Sequence, residues 1–152
     1  MAQINLTVSD TINAPADKVY AILTDYHQHH PRILPTAYFT GLDVEEGGQG
    51  TGTIFKAGMK VMGQTQHFRM RVEEIEPGRV MTETDLDTGL VTTFTIEPRG
   101  ASQAEVTFAT RFQASPGLKG LIERLTTPMF LRRVYQVELR QLDQYAQTVQ
   151  EI

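Results

Sequence analysis

Polar and apolar positions alternate through most of the first two thirds of the chain, and from Pro116 to Ile152 the pattern changes to a helical repeat. In Gln3 to Asn13, Ile4, Leu6, Val8 and Ile12 face one way while Asn5, Thr7, Ser9 and Thr11 face the other, the signature of a half-buried strand. Pro15 then opens a helix at its first turn, where a missing N–H costs nothing. Val19, Ile22 and Leu23 give that helix its stripe until about Asp25. Tyr26 to Leu34 reads as a second short helical or turn segment, stopped by Pro35.

Six more strands follow, each bounded by turn residues. They are Thr36 to Glu45, Gly50 to Val61, Gln64 to Glu76, Arg79 to Leu86, Leu90 to Glu97 and Gln103 to Ala114, with turns at Glu46-Gly47-Gly48, Met62-Gly63, Pro77-Gly78, Asp87-Thr88-Gly89 and Pro98 to Ser102. Short connections make successive strands antiparallel neighbours. The closing segment starts with Ser115 as an N-cap and Pro116 at the first helical position. Leu118, Leu121, Ile122 and Leu125 mark an apolar face, Pro128 predicts a kink or break, and Leu131, Val134, Tyr135, Leu142, Tyr145, Ala146 and Val149 carry a stripe to the end.

Dimensions then constrain the architecture. A helix from Met129 to Gln150 is about 33 Å long, matching a ten-residue strand. About seven strands make a sheet about 30 Å wide, whereas one helix is only about 10–12 Å across. The sheet must therefore curl around the helix, and space left uncovered is either filled by side chains or is a pocket. The expected fold class is α+β: a curved antiparallel sheet of about seven strands around a long C-terminal helix, with two short helices between strands 1 and 2, all in one domain over residues 1–152.

Alternation assigns the inner face. It comprises Thr53, Phe55, Ala57 and Met59; Phe68, Met70 and Val72; Val80, Thr82 and Thr84; Leu90, Thr92, Phe94 and Ile96; and Val106, Phe108, Thr110 and Phe112. Phe and Met interspersed with Thr suit a cavity for an apolar ligand bearing a few polar atoms. They also suit an ordinary core, since Thr is a good strand former and Met fills irregular gaps. The opposite face, with His67, Arg69, Arg71, Glu73, Glu83, Asp85, Thr93, Thr95, Glu105 and Arg111, reads as cross-strand charge pairs in solvent. A catalytic group from that set requires a register one residue off, which would flip every side chain.

Composition narrows the chemistry. With 152 residues and no cysteine, the chain needs no disulfide and has no thiolate ligand or nucleophile. The first ten residues lack a signal-peptide pattern and no apolar run approaches a membrane span, so the expectation is a cytoplasmic protein. The net charge of −4 and the interspersed basic residues argue against nucleic acid. His27, His29 and His30 form the one histidine cluster. The i, i+3 pair His27 and His30 could share an ion, but no ligand carboxylate stands at a recognisable spacing beyond Asp25, so the cluster reads as a polar helix end. Gly47, Gly48, Gly50 and Gly52 lack the Lys-Ser/Thr and the helix of a phosphate loop and read as a hairpin. No metal and no cofactor is expected.

The run Ile12-Asn13-Ala14-Pro15-Ala16-Asp17-Lys18-Val19-Tyr20-Ala21-Ile22-Leu23-Thr24-Asp25-Tyr26 resembles the N-terminal signature of the START-like (SRPBCC) superfamily, which includes polyketide cyclase/dehydrase-like proteins, plant pathogenesis-related allergens and lipid-transfer domains. The element order matches over essentially the whole chain. The resemblance implies the helix-grip fold and a deep, mostly apolar cavity between sheet and C-terminal helix, used by relatives for lipids, sterols, polyketides, quinones or hormones, and by a minority for cyclisation or dehydration. Many relatives carry a tryptophan after the second helix. This chain has none, and His29, His30 and Pro31 stand there instead. No catalytic residue is carried over.

Three functions follow as expectations. The first is binding or carriage of a small hydrophobic ligand, with Phe55, Met59, Phe68, Met70, Phe94, Phe108 and Phe112 as walls, Thr84, Thr92 and Thr110 orienting polar atoms, and Leu131, Tyr135 and Leu142 facing them from the helix. The second is a metal-free acid–base enzyme of the cyclase/dehydrase type, with Asp10 as its in-phase acid and Tyr38 or His27 at the rim. The third is a protein-interaction or co-chaperone module, favoured by a filled core and a large exposed apolar patch.

Overall fold

A computed structural model describes residues 2–61 and 63–150. The predicted turn residue Met62 and the last two residues of the predicted C-terminal segment lie outside them. Seven strands form one antiparallel sheet: β1 (Gln3–Ile12), β2 (Phe39–Glu46), β3 (Ile54–Val61), β4 (Gln64–Glu76), β5 (Val80–Asp85), β6 (Val91–Arg99) and β7 (Gln103–Gln113). Their order across the sheet is β1-β7-β6-β5-β4-β3-β2. Chain neighbours from β2 to β7 pair directly, and β1 closes on β7 with Val8 opposite Phe108. Register shifts near Gly41, between Val44 and Glu46 and between Glu74 and Glu76 interrupt the ladders. Such irregularities bend strands and add twist, which curves the sheet.

Helix α1 (Ala16–Thr24) follows β1, and its apolar stripe of Val19, Ile22 and Leu23 is fully buried. The predicted second helical segment is a turn followed by a 3-10 turn at His30–Ile33. The end of α1 is pinned to the β2–β3 connection: Tyr26 N–H donates to Gly48 O at 2.8 Å, and Gly50 N–H donates to Thr24 O at 2.9 Å. Gly48 permits this approach. Its φ is +133°, and a Cβ there would lie 2.0 Å from His27 Nε2.

Helix α2 (Gly117–Thr148) is continuous through Pro128, so the predicted break does not occur. At 32 residues it is about 48 Å long, well beyond the strands it crosses. Pro116, not Ser115, occupies the cap position, and Ser115 bonds instead to Glu123, with its hydroxyl 3.2 Å from Oε2. The second half of α2 buries Leu131, Val134, Tyr135, Leu139, Leu142 and Ala146. The helix packs chiefly on β1, and also on the 3-10 turn and α1. Its first half has a different fate: Leu118, Leu121, Ile122, Leu125 and Met129 are exposed.

One register expectation fails. In β5 the inward residues are Met81, Glu83 and Asp85, while Val80, Thr82 and Thr84 are half-buried on the other face. Thr84 pairs with Arg71 and Val91 on that outer face and cannot reach the interior. Alternation was misread because burying two acids is costly unless they are bonded. Both are. Asp85 accepts from Thr88 Oγ1 at 2.8 Å and Asp87 N–H at 3.2 Å, fixing the β5–β6 turn, and Glu83 is held from below by Tyr26.

Tyr135 ties α2 to the sheet. Its hydroxyl lies 2.6 Å from Thr110 Oγ1 and 3.4 Å from Thr92 Oγ1, and those two hydroxyls lie 2.7 Å apart. Tyr135→Phe should lower the unfolding free energy by about 1 kcal/mol, because Thr92 and Thr110 still satisfy each other. Chemical denaturation measures this. A loss of several kcal/mol would contradict such a self-sufficient threonine pair.

A cavity lined by acids

Because α2 lies toward the β1 side, the concave face remains open over β2 to β6. A cavity occupies this space. Counting its open mouth, the empty volume is about 690 Å³, of which about 100 Å³ can hold the centre of a water molecule. Phe39, Leu42, Phe55, Ala57, Met59, Phe68 and Met70 line it from β2, β3 and β4. Leu90, Thr92 and Phe94 line it near and along β6, and Leu131 and Tyr135 from α2. His30, Leu34, Glu83 and Glu138 complete the wall.

The structure sorts the predicted wall. Phe55, Met59, Phe68, Met70, Thr92, Phe94, Leu131 and Tyr135 line the cavity. Phe108, Thr110 and Leu142 face inward but are buried in the packed core and do not line it. Phe112 is half-buried against that core, near the end of β7, and Thr84 is on the outer face. Asp10 is exposed and accepts from the neighbouring Thr11 N–H, so it is no interior acid. Tyr38 packs edge-on against Phe130, with centroids 5.8 Å apart, and His27 bonds at the surface to Gly47 O.

The polar residues of the cavity are those that alternation hid. Glu83 is 8% exposed, His30 2% and Glu138 3%. The Tyr26 hydroxyl donates to Glu83 Oε2 at 2.5 Å. Tyr26 is itself fixed between flat rings, with His30 at 4.4 Å and Phe55 at 4.8 Å between centroids. The chain of rings continues from His30 to Phe94, Phe108 and Tyr135, so an aromatic column joins the N-terminal turn to α2 across the sheet.

The tautomer of His30 follows from its partner. Nδ1 lies 2.7 Å from Leu23 O, and a carbonyl only accepts, so the neutral ring carries its proton there. Nε2 is then a free lone pair, 3.7 Å from Glu83 Oε2, too far for a hydrogen bond but close enough to share a ligand atom or a proton. Burial lowers the His30 pKa to about 4, so the ring is neutral at ordinary pH. Burial raises Glu83 to about 7, with the Tyr26 hydrogen bond pulling the other way. Glu138 makes no hydrogen bond among the described residues. Burial, and then the Glu83 charge, push its carboxyl well above the usual range. No lysine or arginine lines the cavity to compensate these acids.

The other two histidines diverge from His30. His29 Nδ1 is 2.6 Å from the Tyr145 hydroxyl, which locks the turn to α2, and its Nε2 lies 3.8 Å from Asp25 Oδ2. The cluster is therefore not a polar helix end, since His29 and His30 are both buried. No local sequence signal marked this burial, because the groups that receive the two rings, the Tyr145 hydroxyl and the Leu23 carbonyl, are brought to them by the fold.

The two titrating groups have opposite effects on stability. Glu83 holds its proton more tightly when folded, so its contribution is full below about pH 4.5 and is lost as pH rises through about 7. His30 holds its proton less tightly when folded, so its contribution is present above about pH 6.5 and is lost as pH falls through about 4. Glu83→Gln removes only the first dependence. Relative to the wild type, the variant's unfolding free energy should rise by on the order of 3 kcal/mol between about pH 4.5 and pH 7. Denaturation of both proteins across that range tests this, and parallel curves would contradict a buried, titrating Glu83.

Comparison with known proteins places this geometry in a family. Residues 3–147 match the family profile described as polyketide cyclase / dehydrase and lipid transport. No curated protein sequence matches significantly. Among solved structures, the KanY protein is 28% identical, with a TM-score of 0.83 over 97% of this chain and 99% of that one. The Zhui aromatase/cyclase from Streptomyces sp. R1128 is 19% identical, with a TM-score of 0.80 over 96% and 94%. Norcoclaurine synthase from Thalictrum flavum, solved with dopamine and hydroxybenzaldehyde, is 13% identical, with a TM-score of 0.75 over 99% and 90%. These likenesses share one helix-grip fold, a curved seven-stranded sheet with a long C-terminal helix. The chain belongs to the polyketide cyclase/dehydrase and lipid transport family of START-like proteins.

Proposed function

We propose that this protein binds a small, mostly apolar, carbonyl-bearing molecule in the cavity and catalyses proton transfers on it, of the kind that drive cyclisation or dehydration. The observation that carries this reading is geometric: two acids, Glu83 and Glu138, are buried in the wall of one apolar cavity with His30, the first bonded to Tyr26 and the second without a hydrogen-bond partner among the described residues. Burial raises both carboxyls, Glu83 to about 7 with its Tyr26 hydrogen bond pulling the other way, and Glu138, with no such bond and the Glu83 charge beside it, well above the usual range. Two carboxyls pushed apart in this way divide the roles of base and acid. A module that only stored apolar molecules would gain nothing from burying an unpartnered carboxyl in its wall.

In the proposed reaction Glu83 removes the proton from the carbon next to a carbonyl, forming an enolate. In a dehydration the enolate expels a β-hydroxyl, which takes the Glu138 proton and leaves as water. In a cyclisation the enolate carbon attacks a second carbonyl of the same molecule, and the new alkoxide takes that proton. Either way one proton reaches Glu83 and one leaves Glu138, and exchange through the open mouth resets the pair. Neutral His30 accepts a hydrogen bond at Nε2 and orients a substrate hydroxyl. Apolar walls exclude water, which strengthens each of these contacts. The same walls support the simpler reading of ligand carriage, and the fold relatives whose names specify an aromatase/cyclase and a synthase accord with the catalytic one.

An aryl β-hydroxy ketone serves as probe, its dehydration followed by the absorbance of the enone. The rate constant kcat/KM should rise with pH through about 7 as Glu83 ionises and fall at higher pH as Glu138 ionises. Glu83→Gln and Glu138→Gln should each slow turnover by about 10²–10⁴-fold. Tyr26→Phe should move the rising limb to higher pH, because the lost hydrogen bond had lowered the Glu83 pKa. Stoichiometric binding without turnover of this or related ketones would favour carriage.

A further inference from the structure

The first half of α2 carries an apolar stripe turned away from the core. Leu118, Ile122, Leu125 and Met129 recur at i, i+4, i+7 and i+11, with Leu121 alongside, and these side chains are 45–72% exposed. At about 100° per residue the centre of the stripe formed by Leu118, Ile122, Leu125 and Met129 lies about 140° round the helix from the centre of the face formed by Leu131, Tyr135, Glu138 and Leu142, which packs inward. Its side chains face solvent.

Charge surrounds the stripe. Lys119 and Arg133 flank it on one side and Arg132 on the other. All three are exposed and none forms an ion pair among the described residues, although Arg132 donates to Thr7 O at 3.4 Å. Arg124, in contrast, lies about 130° round the helix from the stripe. Lys56, Arg69, Arg71 and Arg99 of the sheet and Arg79 of the β4–β5 turn pair with glutamates, while Lys60 and Arg111 do not among the described residues. The acid of the segment, Glu123, is engaged by Ser115. A protein of net charge −4 thus places three cations without ion pairs beside this exposed aliphatic stripe. The interspersion of charges along the sequence conceals this cluster.

The stripe also leads to the cavity. Met129 is followed by Phe130, which packs on Tyr38, and by Leu131, which lines the wall. We infer that this face of α2 docks on an anionic lipid bilayer, with the aliphatic stripe in the headgroup–acyl boundary and Lys119, Arg132 and Arg133 at the phosphates. Amphipathic helices with a basic polar face bind membrane surfaces in this way. Docking would hold the cavity lip at the bilayer, so an apolar ligand could cross without traversing water. A second copy of the chain fits the face less well, because a symmetric pairing sets these cations against their equals. The inference is independent of any chemistry in the cavity.

Flotation of the full chain with phosphatidylcholine vesicles, with and without phosphatidylglycerol, tests it. Binding should require phosphatidylglycerol and weaken with added salt. It should fall by at least about tenfold in Ile122→Asp/Leu125→Asp and in Lys119→Glu/Arg133→Glu. Those side chains are exposed, so both variants should keep the wild-type circular dichroism and thermal midpoint. Absence of binding to the anionic vesicles, or equal binding by the Ile122→Asp/Leu125→Asp protein, overturns the proposal. So does a dimer in sedimentation equilibrium that Leu125→Asp dissolves.

Discussion

The hydrogen bond from Tyr26 to Glu83 is the contact on which the site depends. A carboxyl on the concave face of a sheet is tolerable only if something supplies a donor, and the donor here comes from the far side of the chain's first turn. To deliver it, α1 must end at Thr24, the chain must turn sharply at Asp25, and the β2–β3 loop must hold that turn through Gly48 and Gly50. The same turn brings His30 over the Tyr26 ring and against Phe94. One local geometry therefore positions both the acid's partner and the imidazole, and the aromatic column behind them passes the constraint to α2.

Electrostatics within the cavity follow from what is missing as well as from what is present. Water is largely excluded and no cation lines the wall, so each group takes its less charged form until a neighbour prevents it. His30 stays neutral, and its proton is fixed on Nδ1 by Leu23. Glu83 is relieved in part by Tyr26 and so titrates near neutrality. Glu138 has no such relief and feels the Glu83 charge in addition. The three groups differ by their partners, not by their burial, and that difference turns a set of buried polar residues into a potential acid–base machine.

Much of the fold was legible because it is written in periods. Strand alternation located β1 to β7, Gln64 to Glu76 to the residue, and the Ala-Pro opening of α1 marked how the first strand meets the sheet. The narrow-rod argument foresaw an uncovered concavity, and eight of the predicted wall residues line it. Failure was concentrated in β5. There, Val80, Thr82 and Thr84 are better inner-face residues than Met81, Glu83 and Asp85 by any hydrophobic scale, and a pattern argument must choose the former. The true register is fixed by Tyr26, 57 positions away from Glu83, which no local window contains. Glu138 was obscured for a similar reason: within a long stripe of α2 one charged residue reads as surface.

The two faces of α2 explain why its average character was uninformative. Its second half is a one-sided helix whose apolar side meets the sheet, and its first half is a one-sided helix turned the other way. Pro128 sits at the change and does not end the helix. A proline in mid-helix removes one backbone hydrogen bond, a cost that is least where the chain is already leaving the support of the sheet. The rod is therefore held where it grips β1 and where Tyr145 meets His29, and its first half presents apolar side chains to solvent. An outward apolar stripe stabilises nothing inside the fold, and contiguous exposed apolar surface rimmed by charge is the form that interaction sites take.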